Sequence, residues 1–223
     1  MTSAPGFGRF ITLEGGEGAG KSTQVARLAE RLRACGHETV VTREPGGSPL
    51  AEDYRRIILS GAVAPLGAAA EAIMFSAARI DHVATTIGPA LRRGAWVVCD
   101  RFADSTRAYQ GALGNLDPRF IRELERATLG PLKPDLTLVL DLPAEVGLRR
   151  AARRRGAGET TDRFEAEGLE FHRGLRQTFL DIAADEPQRC AVIDATQPVD
   201  DVAAAIWRAV EERLKPAAEL DVT

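Results

Sequence analysis

The feature that most constrains this chain of 223 residues is the stretch GGEGAGKS, Gly15 to Ser22. Its spacing, G-x-x-x-x-G-K-S, is typical of a loop whose backbone N–H groups surround phosphates at the start of a helix. Such a loop needs a strand before it and a helix after it, and the segments RFITLE and STQVARLAERLRAC predict both. We therefore expect a nucleoside triphosphate here, with Lys21 on the β- and γ-phosphates and Ser22 on Mg²⁺.

Four further apolar segments predict the rest of a sheet: ETVVTR, AWVVCD, LTLVLDL and RCAVIDA. They are apolar on both faces and alternate with helical patterns, which favours a five-stranded parallel sheet flanked by helices on both faces. Ligands bind beyond the carboxyl ends of such strands, where Arg43, Asp100 and Asp141 are expected to collect. The chain is predicted to form one α/β domain over residues 1–223, with residues 215–223 as a flexible tail.

Composition narrows the possible partners. A net charge of -3 and a pI near 5.7 give no reason to expect nucleic-acid binding. No apolar run approaches the length of a membrane span, and the N-terminus lacks a signal pattern, so no membrane association and a cytoplasmic location are expected. Three scattered cysteines without a CxxC pair fit reduced thiols. The scattered histidines His37, His82 and His172 predict neither a metal site nor a catalytic role.

Local motifs discriminate among the protein classes that share a phosphate loop. A GTPase switch needs an N-K-x-D stretch, but the only asparagine is Asn115, followed by leucine. Asp100 is followed at once by Arg101, and a basic group beside a magnesium acid indicates a second anion. The run RRAARRRG predicts an arginine-rich lid over residues 149–165 that closes on the nucleotide, although a solvated basic face is the alternative reading. None of these motifs explains why an acid, Glu17, lies in an anion-binding loop.

Six motifs together resemble the bacterial thymidylate kinase family from about Phe10 to Leu214: EGGEGAGKST, TREPGG, MFSAAR, DRFADSTRAYQG, PDLTLVLDLP and IDATQPVDDV. The resemblance implies a P-loop nucleoside-monophosphate kinase fold with a short arginine-rich lid. It also implies a homodimer that uses ATP and Mg²⁺ to convert dTMP into dTDP, a step toward dTTP. No general base is expected, because the second pKa of a phosphate monoester is about 6 and the acceptor is already an anion.

The resemblance also implies residue roles. For the nucleotide acceptor, Glu17 contacts the deoxyribose 3′-hydroxyl, Phe75 stacks on thymine and Arg79 bonds the base carbonyl. Gln110 is implied to bond the ring N3 edge and Tyr109 to favour deoxyribose. The remaining acceptor residues are Arg43, Glu44, Pro45, Arg55, Arg101 and Thr106, of which Arg55 and Arg101 hold the phosphate.

For the donor, the implied ATP-binding residues are Gly15, Gly16, Glu17, Gly18, Ala19, Gly20, Lys21, Ser22, Thr23, Arg149 and Arg153. The catalytic residues are Lys21, Arg101, Arg153 and Arg154, and the metal ligands are Ser22 and Asp100. Two alternatives stay open. One is a kinase of another nucleoside monophosphate or of a deoxynucleoside, which would need a different base pocket. The other is an ATPase or regulatory module, in which Glu17 and Arg55 would have no role.

Overall fold

The computed structural model describes residues 7–154 and 163–216, which contain a five-stranded parallel sheet in the order β2-β3-β1-β4-β5. This result confirms the predicted fold class, and each strand lies within one residue of its predicted ends. The strands are β1 (Phe10–Glu14), β2 (Thr39–Arg43), β3 (Trp96–Asp100), β4 (Leu136–Asp141) and β5 (Cys190–Asp194).

Helices cover both faces of the sheet. They are α1 (Lys21–Ala34), α2 (Pro49–Leu59), α3 (Gly67–His82), α4 (Gly88–Arg92), α5 (Ala103–Thr106), α6 (Pro118–Leu129), α7 (Ala144–Arg154), α8 (Leu169–Asp185) and α9 (Val199–Leu214). The long apolar segment after α2, predicted as one or two helices, forms α3 and α4 joined by the π-helical turn Val83–Ile87. A second π-helical turn, Arg107–Ala112, follows α5. Residues 215–216 are not helical, and the rest of the predicted tail lies outside the described residues.

Side-chain alternation along β1 separates the two halves of the core. Ile11 and Leu13 face α1 and α9, where they join a large apolar cluster. Phe10 faces the opposite side and packs edge-on against Phe102 with ring centroids 4.8 Å apart. Because side chains alternate along a strand, Glu14 lies on the same face as Phe10. The last residue of β1 is therefore an acid inside the core on the Phe102 side.

The strand registers bring the polar strand ends to one edge. Arg43 pairs with Asp100, Asp100 with Leu13, and Asp141 with Asp194. This confirms the expected collection of polar residues at the carboxyl edge. Asp141 forms a two-pronged ion pair there with Arg176 of α8 at 2.6 and 2.9 Å.

Within residues 7–154 and 163–216, no single helix is long and apolar enough to cross a membrane. The helical segments Pro49–Leu59 and Ala64–Arg92, bent by 78° at their junction, satisfy length and composition only when taken as a pair.

Candidate active site

The phosphate loop joins β1 to α1 and requires glycine at two close contacts. Gly18 has a φ of +68°, and a Cβ there would lie 2.1 Å from the carbonyl oxygen of Gly147 in α7. A Cβ on Gly15, whose φ is +136°, would lie 2.6 Å from the carbonyl oxygen of Leu140. Only glycine tolerates these conformations without strain. The loop is therefore held tightly between β4 and α7, with its amides at the start of α1.

Lys21 is the first residue of α1 and is buried against the loop. Its Nζ donates to the carbonyl oxygens of Gly15 at 3.0 Å and Gly16 at 2.8 Å. Burial, followed by the neighbouring charge of Arg101, lowers the pKa of Lys21. The lysine is thus a desolvated cation at the N-terminus of a helix, which suits it to an anion.

Ser22 and Asp100 present oxygen atoms beside this lysine. The Ser22 hydroxyl donates to Asp100 Oδ2 at 2.7 Å. Asp100 Oδ1 is buried and has no hydrogen-bond partner among the described residues. An unsatisfied buried carboxylate oxygen next to a hydroxyl fits the oxygen ligands and water that Mg²⁺ takes in phosphate sites. No group of three or more His, Cys, Asp or Glu in the described parts of the chain has metal-binding geometry.

An outer cavity of about 430 Å³ lies beyond the loop, between the start of α1, helix α7 and the segment 195–198 after β5. Arg150 borders it and donates to the carbonyl oxygen of Ala195 at 3.0 Å. Arg149 and Arg153 are exposed on the same helix. The side chain of Arg154 and residues 155–162 lie outside the described part of the chain, so the predicted lid is described only at its two ends.

On the other side of the loop, an aromatic pocket of about 90 Å³ gathers residues from six separate segments. Ten of the eleven residues that the resemblance implies for the acceptor border this pocket, and their roles remain predictions. They are Glu17, Glu44, Pro45, Arg55, Phe75, Arg79, Arg101, Thr106, Tyr109 and Gln110. The exception is Arg43, which borders a neighbouring cavity beside Lys21 and Ser22, the central cavity, and pairs with Glu52 at 3.0 Å.

A buried ionic network forms one wall of the aromatic pocket. Arg79 Nε donates to Glu44 Oε2 at 2.7 Å, and its Nη2 donates to Thr106 Oγ1 at 3.0 Å. His82, one turn further along α3, contacts Glu44 Oε1 at 3.1 Å and Thr42 at 2.6 Å. Arg79 is only 2% exposed. The predicted base-contacting arginine is thus oriented by partners before any ligand arrives, and His82 is a core residue that supports the same glutamate.

Arg101 links the pocket to the phosphate loop. It has a φ of +68°, a conformation that non-glycine residues adopt rarely and that is enriched at functional sites. Its Nη2 donates to Glu17 Oε1 at 2.6 Å, and its guanidinium lies 5.3 Å from the Tyr109 ring centroid. Burial opposes its charge, but Tyr109 and the carboxylates of Glu17, Asp100 and Glu14 raise the pKa of Arg101 above its usual value. Arg101 therefore stays a cation here.

The turn that carries Arg101 is anchored by the acid at the end of β1. Glu14 accepts hydrogen bonds from the Phe102 N–H and the Ser105 hydroxyl, both at 2.7 Å. Burial, with the Asp104 charge second, raises the pKa of Glu14 to about 7. No role was predicted for Glu14 from the sequence.

A central cavity of about 350 Å³ joins the two sides. It is bordered by the loop residues Lys21 and Ser22, by Asp100, and by the arginines Arg43, Arg55 and Arg101. Cations on both sides of one cavity can hold two phosphate groups facing each other while their charge is stabilised. This arrangement suits the transfer of a phosphoryl group between two bound anions.

Sequence reasoning missed several residues that border these cavities. Phe164 and Glu165, the last two residues of the predicted lid, received no individual role; Phe164 borders the aromatic pocket and Glu165 the central cavity. Glu71, which lies behind the aromatic pocket, was also missed: it is buried in α3 one turn before Phe75 and accepts from Gln110. An acid at helical spacing from Phe75 and Arg79 was the signal available in the sequence. Thr196 and Gln197 border the outer cavity within a motif that the resemblance included but assigned no role.

Comparison with known proteins gives a consistent family. The model of the family described as thymidylate kinase matches residues 13–206. The thymidylate kinase of Bradyrhizobium diazoefficiens is 60% identical over 95% of this chain and 92% of its own length, and that of Nitrobacter winogradskyi is 61% identical over 92% and 89%. A thymidylate kinase structure from Ehrlichia chaffeensis superposes with a TM-score of 0.74 at 32% identity, over 93% of this chain and 99% of that one. This chain therefore belongs to the thymidylate kinase family.

Proposed function

We propose that this protein transfers the γ-phosphoryl group of ATP to dTMP, giving ADP and dTDP. The observation that carries the proposal is the central cavity, which opens to the phosphate loop on one side and to the aromatic pocket on the other. A triphosphate entering from the loop and a monophosphate entering from the pocket meet there between cations. Phosphoryl transfer depends mainly on such positioning and charge stabilisation.

The donor side would hold ATP through the loop amides from Gly15 to Thr23, with Lys21 moving from the loop carbonyls to the β- and γ-phosphates. The outer cavity next to the loop has room for the adenosine, with the flat guanidinium of Arg150 available at its border. Ser22 and Asp100 would hold Mg²⁺, which when bound neutralises charge on the β- and γ-phosphates.

The aromatic pocket would hold dTMP. Phe75 offers a flat face for the base, while Arg79 offers donors for a ring carbonyl and Gln110 an amide for the N3 edge. Tyr109 would crowd a ribose 2′-hydroxyl, and Thr106 lies beside Arg79. The pocket is thus proposed to select a deoxyribonucleotide with a carbonyl-bearing pyrimidine.

Glu17 has a role in this arrangement that a phosphate loop alone does not explain. Its carboxylate accepts a hydrogen bond from Arg101 at the border of the aromatic pocket. There it can accept a hydrogen bond from the deoxyribose 3′-hydroxyl, while Arg55 and Arg101 hold the acceptor phosphate. The acceptor oxygen is already an anion near neutral pH, so no general base is required.

The arginine run is proposed to act as a lid over residues 149–165. Arg149 and Arg153 are exposed on α7, from which they could reach a phosphate bound at the loop. With Arg154 they would stabilise the transferring phosphoryl group and exclude water. Closure would limit loss of ATP by hydrolysis.

We also propose a homodimer formed through α2 and α3. Leu66, Ile73 and Ile80 follow one another at seven-residue spacing and are 73%, 51% and 53% exposed. Leu50 and Ile57 repeat this spacing on α2, which packs against α3. Exposed apolar stripes of this kind are typical of helical interfaces between subunits. Sedimentation velocity tests whether the protein is a dimer in solution.

We also propose a cytoplasmic location, which the three free, buried cysteines fit.

The function is tested by coupled ADP release with Mg-ATP and, in turn, dTMP, dUMP, UMP, CMP or no acceptor. Strong turnover with dTMP, weaker turnover with dUMP and background elsewhere is the expected result. Preference for another monophosphate would favour the alternative kinase. ADP release independent of an acceptor would favour the ATPase alternative and remove the proposed role of Glu17.

A further inference from the structure

Glu71 is a buried acid on the pocket-facing side of α3. It lies four residues before Phe75 and eight before Arg79, so the three share one helix face. Glu71 is only 4% exposed, and its two oxygens contact two different groups. Arg163 Nη1 lies 2.7 Å from Oε1, an ion pair whose angle falls outside hydrogen-bond geometry, and Gln110 Nε2 donates to Oε2 at 3.4 Å. Neither phosphoryl transfer nor phosphate binding uses this residue.

The chemistry of these contacts determines which way the Gln110 amide points. A carboxylate that is ion-paired with arginine has only acceptor oxygens, so only the NH₂ branch of an amide can face it. Gln110 is 1% exposed and borders the aromatic pocket, which leaves its carbonyl oxygen as the group available to a ligand. The orientation follows from donor and acceptor rules, and an amide turned the other way would place two acceptors together.

We propose that Glu71 is a specificity-determining positioning residue, which holds Gln110 so that the pocket presents an acceptor to the N3 edge of the base. Thymine and uracil carry a hydrogen on N3 and can donate to that oxygen. Cytosine has a bare N3 and meets an acceptor with an acceptor, which leaves both unsatisfied. The inference rests on the proposed function and assigns part of the choice of pyrimidine to a residue that need not touch the nucleotide.

The isosteric substitution Glu71→Gln tests the proposal, because Arg163 then decides the outcome. Arginine can only donate, so the single carbonyl oxygen of the new amide turns toward Arg163 and its NH₂ group toward Gln110. Gln110 must then accept from it and present its own NH₂ group to the pocket. We expect the ratio of kcat/KM for dTMP to that for dCMP to fall by about tenfold or more.

Two variants separate this effect from a general loss of structure. Glu123→Gln removes an exposed carboxylate that is paired with Arg126 on α6, and it should leave the ratio unchanged. In a Gln110→Leu background the pocket amide is absent, so E71Q should lower the ratio no further. If E71Q does not fold, Glu71→Met carries the same test, since an apolar side chain leaves the Gln110 amide free to turn.

The possible failures are distinguishable. A wild-type enzyme without preference for dTMP contradicts the proposed function itself. A wild-type preference that E71Q leaves intact, or an E71Q loss that is equal for dTMP and dCMP, overturns only the role of Glu71. An equally large fall in the ratio in the Q110L background also overturns it, because the effect would then not pass through Gln110.

Discussion

The two sides of the central cavity are built in different ways. The donor side consists mainly of backbone from one continuous segment, Gly15 to Ser22, shaped by glycines at positive φ. The acceptor side consists of side chains from six segments, and buried ion pairs such as Arg79 with Glu44 orient them. A continuous backbone site is recognisable in any sequence that contains it. A site of gathered side chains can select among ligands, but its stability depends on every partner being present.

The largest effect is expected from a substitution that impairs the donor side alone. Lys21→Ala removes the cation that the loop holds next to the phosphates, and we expect kcat/KM to fall by about 10³-fold. Binding of dTMP, measured by calorimetry without ATP, should change little because the lysine faces the loop carbonyls. The exposed Lys133 gives a matched control, Lys133→Ala, with unchanged kinetics. A parallel loss of dTMP affinity would show that the two sides are not separable in this way.

The next largest effect is expected from a substitution on the acceptor side, which should lower the stability of the fold as well as the binding of dTMP. Arg79→Met leaves Glu44 buried without its arginine, which we expect to lower the free energy of unfolding by about 3 kcal/mol. Urea denaturation measures this loss, and ATP binding by the remaining folded enzyme should persist. Arg126→Met removes an exposed arginine of the same kind and should change stability by less than about 0.5 kcal/mol. Equal effects of the two variants would show that the buried pair of Arg79 and Glu44 does not stabilise the fold.

A pH-dependent effect comes from Glu14, which anchors the turn between the two sides. Burial raises its pKa from 4.5 to about 7. Between pH 4.5 and 7, Glu14 therefore holds a proton in the folded protein but is ionised in the unfolded chain. The Glu14 contribution to stability is therefore fully present below pH 4.5 and is lost as the pH rises through 7. Glu14→Gln cannot ionise, so its stability relative to wild type should rise by about 3 kcal/mol between pH 4.5 and 8.

Denaturation of both proteins across this pH range measures the difference. Glu186→Gln provides the contrast. Burial opposes ionisation of Glu186, but Arg189 and Arg107 lower its pKa to about 2, so its contribution is complete above pH 4.5 and is lost only as the pH falls further. Between pH 4.5 and 8, the difference in unfolding free energy between E186Q and wild type should stay constant, while the difference between E14Q and wild type changes. A level difference for E14Q would mean that Glu14 ionises normally in the folded protein.

The smallest expected effect tests the assignment of Phe75 as the residue that stacks on the base. Phe75→Leu keeps an apolar side chain but removes the flat ring, and we expect the KM for dTMP to rise by about tenfold with the KM for ATP unchanged. Phe120→Leu changes a ring on α6 that is 36% exposed and should affect neither constant. If KM for ATP rose with that for dTMP, Phe75 would be acting through the fold and not through a stacked base.

Much of the architecture was predictable because it depends on local pattern. The five strands were found within one residue of their ends, since apolar segments between helical patterns have few other solutions in an α/β protein. The phosphate loop was predictable because the spacing of its glycines, lysine and serine along the chain determines the backbone conformation of the loop. The acceptor residues came from resemblance to a family, and composition or periodicity alone did not identify them.

The sequence by itself determined the sheet, the phosphate loop and the edge at which polar residues collect, because alternation and loop chemistry act between neighbours in the chain. Only the tertiary structure decided that Glu14 is buried beneath Arg101 and that Glu71 lies between Gln110 and Arg163. The partners in each group are separated by tens of residues. Their protonation and orientation depend on desolvation and on the geometry of donors and acceptors, which exist only once distant segments have packed together.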